Sequence, residues 1–217
     1  MTRIELDRVS MSYGAQSSPD RVTVFEGLSA SITTPIFVTL VGPNGCGKST
    51  LLNLMAGVAE PDSGLIRIVT GSGNAPRIGY AWQDYRSSLL SWFDVGDNLA
   101  LPLRITGMPR AKRRSLAEAA VRDFGVSIDC ETPIYTLSGG QQQLVSVLRS
   151  TIGSPDLLLM DEPTSALDQQ NSWLTAFHIE EVWMRRKVPA VMVSLLILTR
   201  ASLWRMRSGL WANGAGA

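Results

Sequence analysis

The stretch Gly42-Pro43-Asn44-Gly45-Cys46-Gly47-Lys48-Ser49 has the residue types and spacing of a loop built to hold phosphate. Its glycines let backbone N–H groups turn inward around an anion, and a helix continuing through Thr50 and Leu51 adds positive potential at its N-terminus. Lys48 is placed to reach the β- and γ-phosphates of a nucleoside triphosphate, and the Ser49 hydroxyl to ligate magnesium. A second group completes the chemistry. Leu157-Leu158-Leu159-Met160-Asp161-Glu162-Pro163 has the form of a buried strand delivering two acids at its C-terminal end, where ligands bind in open α/β sheets. Asp161 would hold magnesium through water, and Glu162 would polarise an attacking water.

These groups need elements to position them. Phe37 to Val41 is an apolar run of strand length that feeds the loop, and Lys48 to Ala56 has helical apolar spacing stopped by Gly57. Ile4 to Val9 alternates as a half-exposed strand, Leu28 to Thr34 does so more loosely, and Arg77 to Gln83 is a further short strand. From Asp94 to Phe124 the pattern is helical, broken at Gly107-Met108-Pro109, with Pro109 suited to a first-turn position. Gln141 to Ile152 and Gln170 to Arg186 are also helical, and Ala190 to Val193 reads as a last buried strand. Strands alternating with helices predict an α/β fold with a mainly parallel sheet covered on both faces. The segment from about Gln83 to Thr136 lacks a strand signal and is expected to be an inserted helical subdomain. With no repeat and no evident linker, a single domain is expected over residues 1–217.

A net charge of +1 exerts no global pull towards nucleic acid or anionic lipid. Two cysteines, one inside the glycine-rich loop, make no disulfide framework and favour a reduced, cytosolic setting. The first residues carry no signal-peptide pattern. The longest apolar run, Val188 to Leu198, is interrupted by Pro189 and Ser194 and falls short of the roughly 18–20 residues that span a bilayer. A membrane role would therefore need a separate transmembrane partner.

Leu137-Ser138-Gly139-Gly140-Gln141, shortly before the carboxylate strand, resembles the signature of ABC ATPases, and the likeness extends along nearly the whole chain. The resemblance implies a P-loop NTPase fold of ABC type: a mainly parallel sheet core with antiparallel β strands and a helical subdomain at about 84–136. It further implies a homodimer of nucleotide-binding domains set head to tail, with ATP and Mg2+ between one domain's phosphate loop and the other's signature. Ser138, Gly139, Gly140 and Gln141 would then face the γ-phosphate across the dimer, as an anion site at a helix N-terminus. Gly42, Pro43, Asn44, Gly45, Cys46, Gly47, Lys48, Ser49 and Thr50 would hold the phosphates, and Tyr13 resembles the aromatic that stacks on adenine. Gln83 resembles the glutamine that touches magnesium or water, which makes it a catalytic residue with Glu162 and a metal ligand with Ser49 and Asp161. Asp168, in Ser165-Ala166-Leu167-Asp168, resembles the loop that communicates across the dimer.

The segment from Arg86 to Leu103 is similar to that of importers of the nitrate, sulfonate and taurine group. The resemblance thus implies an ATP-binding subunit, peripheral at the cytoplasmic face of the membrane, that energises import through a transmembrane permease, with a solute-binding protein as an indirect partner. In the family this region receives the permease, and an exposed Leu89-Leu90-Trp92-Phe93 cluster would suit that docking. A helical subdomain packing its own core is the alternative. Arg110, Lys112, Arg113 and Arg114 are expected to form a solvated helix face. Two other functions stay open: a soluble ABC ATPase acting on DNA or the ribosome, and a nucleotide-binding subunit impaired in hydrolysis.

The chain also departs from the family. Leu144 stands where a basic residue is expected, and Leu195 and Leu196 follow the last strand where a switch histidine is expected. The only histidine, His178, lies upstream and is read as a surface or capping residue. From Leu195 onward the expected pattern vanishes, so residues 195–217 read as an aberrant C-terminal tail in which Leu203 to Trp211 has poor periodicity. A reading-frame shift near Ser194 would account for this, because the shifted Leu196/Ile197 codon boundary can encode histidine. Divergence to a weak ATPase is the other reading.

Overall fold

The computed structural model describes residues 2–15, 19–33, 36–71, 73–165, 167, 172, 173, 175–177, 179 and 190–196. Strands β1 (Arg3–Tyr13), β2 (Val22–Thr33) and β4 (Ser63–Val69) form an antiparallel sheet in the order β2-β1-β4. Strands β3 (Ile36–Gly42), β5 (Ile78–Ala81), β6 (Leu157–Asp161) and β7 (Ala190–Leu196) form a parallel sheet in the order β3-β7-β6-β5. Helix α1 (Lys48–Met55) follows β3, and α2 (Tyr85–Ser88), α3 (Val95–Ile105), α4 (Arg110–Asp123), a 3-10 turn (Ile134–Thr136) and α5 (Gly139–Ile152) fill the chain between β5 and β6. The inserted helical subdomain and the mainly parallel core thus match the expectation.

Strand β6 organises the core because every residue from Leu157 to Asp161 is buried. Its alternating side chains face opposite ways. Leu157 and Leu159 pack with Ile4 of β1 and with Leu52 and Met55 of α1, whereas Leu158 and Met160 pack with Val145, Val147 and Leu148 of α5 and with the helical subdomain. In β1 the buried positions change phase, from Ile4 and Leu6 to Val9 and Met11, across a register shift. Arg8 makes that bulge with φ 48° and donates its N–H to Ser29 Oγ at 2.9 Å.

Local differences from the sequence expectation have physical causes. Strand β1 runs on to Tyr13 because the bulge lets it change phase without ending, and β2 starts at Val22 rather than Leu28 because β1 supplies its ladder. Strand β4 was unforeseen, although Ile66 and Ile68 face the core between more exposed neighbours as an edge strand requires. Pro109 caps α4 instead of entering its first turn. Leu89 is buried in the core of the helical subdomain, so the expected apolar cluster is not exposed as a unit. Trp92 alone is largely open, 74% exposed, and meets Phe93 edge-on. The basic face is likewise divided. Arg114 pairs with Asp94 at 2.9 Å and Arg113 donates to the Met108 carbonyl, while Arg110 and Lys112 are exposed. Most of the expected helix 170–186 lies outside the described residues.

Candidate functional site

The phosphate loop spans the gap between β3 and α1. Gly47 caps the helix at φ 97°, and a Cβ there would stand 2.5 Å from Val24 Cγ1 and 2.9 Å from Phe25 Cζ. Only glycine fits both that left-handed backbone and the β2 side chains above it. The Lys48 ammonium donates to the Gly42 and Pro43 carbonyls, both at 2.9 Å, so its charge is folded over the loop. Pro43, Asn44, Gly45 and Cys46 are exposed; Ser49 is half-buried at the start of α1, and Thr50 is buried. Tyr13, 49% exposed, shares a hydrogen bond of 3.2 Å between its hydroxyl and Thr50 Oγ1. The end of β1 is thereby fastened to the helix that the loop opens.

The carboxylates lie at the C-terminal end of β6. Asp161 is 4% exposed, and Glu162 follows in the left-handed region at φ 47°. Pairing of Ala81 with Met160 places the chain after β5 beside the chain after β6, and there Gln83 Nε2 donates to Glu162 Oε2 at 3.3 Å. Behind them, Tyr80 donates to Asn53 Oδ1 at 2.8 Å; burial, and then the Asp161 charge, push its phenol far above the ordinary value. In β7, Ser194 pairs with Asp161 and Leu196 with Gly42, so the strand reaches both the carboxylate pair and the phosphate loop. Leu195 and Leu196 are therefore strand residues, and β7 runs three positions beyond the Val193 end that was expected.

The signature forms the start of α5. Ser138 is its N-cap: Ser138 Oγ accepts from Gln141 N at 3.3 Å, and Gln141 Oε1 accepts from Ser138 N at 3.0 Å. Gly139 and Gly140 occupy the first turn, where backbone N–H groups lack intrahelical acceptors. A Cβ on Gly139 would meet the Tyr85 hydroxyl at 2.8 Å, so close approach to α2 requires glycine there. Among the described residues, no hydrogen bond joins Ser138–Gln141 to the phosphate loop.

Three of the expected sets are thus placed: the loop with Lys48, Tyr13 with Thr50, and Gln83 with Glu162 beside Asp161. Asp168 and His178 lie outside the described residues. Leu144 is buried in place of the expected basic residue. Two residues escaped the sequence reading. Gln143, 1% exposed, donates to the Glu162 carbonyl at 3.2 Å. Arg149, also buried, donates to the Ser88 carbonyl and hydroxyl at 2.6 and 2.9 Å, and burial lowers its pKa. Their only signal was polarity inside a helix whose other residues from Leu144 onward are buried.

The family model described as ABC transporter matches residues 25–165. The taurine import ATP-binding protein TauB of Chromobacterium violaceum is 39% identical over 170 residues, covering 77% of this chain and 63% of that protein. Its namesake in Pseudomonas aeruginosa PAO1 is 36% identical with the same coverage, and that of Sinorhizobium fredii is 32% identical over 92% of this chain and 78% of its own. The chain thus spans 63% of the length of the first two relatives. In fold it resembles the dimeric bacterial ABC transporter cassette MJ0796, with a TM-score of 0.75 at 24% identity over 88% of this chain and 87% of that one. It likewise resembles that cassette bound to ADP and Pi, with a TM-score of 0.76 at 23% identity and the same coverage.

Proposed function

Because this chain belongs to the ABC transporter family, we propose that it is the ATP-binding subunit of an importer, driving solute uptake through separate transmembrane subunits. The observation that carries the reading is the Gln83–Glu162 contact beside buried Asp161, in a sheet whose strand β3, separated from β6 by β7, delivers the Lys48 loop. ATP would bind with its phosphates in the loop, drawing the Lys48 ammonium from the Gly42 and Pro43 carbonyls to the β- and γ-phosphates. Ser138, Gly139, Gly140 and Gln141 would meet the γ-phosphate of a second copy's nucleotide; among the described residues they share no hydrogen bond with their own chain's loop. Asp168 is proposed for contact across the same dimer.

The residues present suit Mg2+. Ser49 offers a hydroxyl, Asp161 a carboxylate and Gln83 a carboxamide oxygen, an all-oxygen set for a hard cation that keeps waters and phosphate oxygens as its other ligands. When bound, Mg2+ would supply positive charge to offset that developing on the phosphates. Glu162 accepts the proton of the attacking water, and Gln83 orients the carboxylate through its Nε2. Tyr13 supplies the face on which adenine stacks, its ring held by Thr50.

Taurine or a related sulfonate is the proposed cargo class, from the names of the relatives at 32–39% identity. The open Trp92 and its neighbour Phe93, with the Arg104 guanidinium 6.0 Å from the Phe93 ring, form the surface proposed for the permease. No helix among the described residues is long and apolar enough to cross a membrane, so peripheral attachment through that permease is proposed. A second reading, binding with impaired hydrolysis, is favoured by Leu195 and Leu196 at the end of β7, where the family's histidine is expected.

Co-expression with the membrane subunits of a taurine-type importer tests the first reading. Co-purification, ATP-dependent taurine uptake and loss of both nucleotide binding and uptake in Lys48→Ala are expected. A chain that binds ATP but associates with no membrane subunit would refute the transport role. Phosphate release separates the readings: turnover at the level of Glu162→Gln would establish the impaired subunit.

A further inference from the structure

We propose that Gln143 is a positioning residue that ties the signature helix of this chain to the carboxylate of its own hydrolytic site. The inference rests on the reading of Glu162 as the group that polarises water. Glu162 sits at φ 47°, a conformation that a non-glycine residue keeps only when its surroundings hold it. Pro163, which follows, has no N–H to contribute to a local turn. The Glu162 carbonyl instead accepts from Ser165 N at 3.1 Å and from Gln143 Nε2 at 3.2 Å, and the same Nε2 lies 3.4 Å from Ser165 Oγ. One side chain of α5 thus grips both ends of the Glu162–Ser165 turn.

Burial makes that grip specific. Gln143 is 1% exposed, so its amide has no ready exchange with bulk water, and a buried donor is costly to leave unsatisfied. Gln143 lies five residues after the cap Ser138 on one continuous helix, about 7.5 Å along its axis. From Gln143 to Ile152 every residue of α5 is buried, which holds the helix as a stiff rod. An anion drawn against the first turn of α5 would therefore shift Gln143 with it, and through Gln143 the peptide that aims Glu162. In a head-to-tail dimer the anion on this signature is the partner's nucleotide, so each site would report its occupancy to the carboxylate of the other.

The test uses the full chain. Gln143→Met keeps the side chain's length and removes the donor; Gln143→Glu removes the donor and keeps the shape. Fluorescent ATP gives the Kd, single-turnover phosphate release at saturating MgATP gives the rate, and thermal melting reports folding. The expected result is a rate at least tenfold lower in either variant that folds, with Kd within twofold of the parent. In a Glu162→Gln background, Gln143→Met is expected to cause no further loss. A rate within twofold of the parent in Gln143→Met, a further loss on adding Gln143→Met to Glu162→Gln, or unfolding of both Gln143 variants overturns the inference. Parent turnover no faster than that of Glu162→Gln instead refutes the reading of Glu162, and the inference falls with it.

Discussion

Gln83 and Glu162 reach each other from the ends of adjacent parallel strands, the Gln83 Nε2 donating to a Glu162 carboxylate oxygen at 3.3 Å. The bond leaves the Gln83 oxygen for a metal and holds the carboxylate at the mouth of the sheet. Replacing Glu162 by Gln should lower kcat about 10²- to 10⁴-fold, the usual worth of a positioned base, without weakening ATP binding. Gln83→Ala should lower kcat less, because it removes the orienting group and spares the base. Steady-state phosphate release with equilibrium nucleotide binding checks both, and an unchanged kcat in Glu162→Gln would remove Glu162 from the chemistry.

Tyr13 should prove separable into ring and hydroxyl. Tyr13→Ala removes the stacking face and should weaken ATP binding about 5- to 150-fold, the equivalent of about 1–3 kcal/mol for base–aromatic stacking. Tyr13→Phe keeps the face, loses only the bond to Thr50 and should weaken binding by a few-fold. Equal affinities for the parent and Tyr13→Ala would place adenine elsewhere.

The two cysteines should differ in reactivity. Cys46 is exposed on the phosphate loop, whereas Cys130 is buried and burial pushes its thiol up, against the lowering effect of Arg114. A maleimide at neutral pH should label Cys46 alone in the native protein, and MgATP should slow the reaction. Mass spectrometry of the labelled peptides reads the result. Labelling of Cys46 that ignores MgATP would contradict nucleotide seating in the loop.

A pH effect is expected where Asp156 meets Arg77. Burial opposes its charge, but the Arg77 backbone N–H, side-chain hydrogen bond and charge together hold the carboxyl below its usual value. A carboxyl with a lowered folded-state pKa stabilises the fold above the unfolded value, about 4, and loses that contribution as pH falls through the folded value. Melting of Asp156→Asn should therefore fall below the parent at neutral pH, and the gap should close as the solution is acidified below about pH 4. A gap that persists at low pH would assign the effect to packing.

The placement of the candidate site was legible because its residues lie in contiguous stretches. The loop from Gly42 to Ser49, the Asp161–Glu162 pair and the Ser138–Gln141 cap are each placed by local backbone geometry, which spacing encodes directly. The β1 bulge was not legible, since Arg8 changes the phase of burial only by virtue of its partner strands. Nor was Gln143, whose partner lies nineteen residues away at the end of another element. Leu89 was misplaced for a related reason: an apolar run beside Trp92 does not itself say which members turn inward. Local signals placed the candidate site residues, and tertiary contacts determined what packs around them.

The Arg149–Ser88 contact carries an evolutionary asymmetry. Among the described residues, the buried guanidinium pairs with no carboxylate; its shortest bond, 2.6 Å, goes to a backbone carbonyl that every residue type at position 88 possesses. Drift on the α2 side can therefore alter the serine and keep that acceptor, while loss of the arginine strands the acceptor at once. Position 149 should be intolerant of replacement, and position 88 permissive.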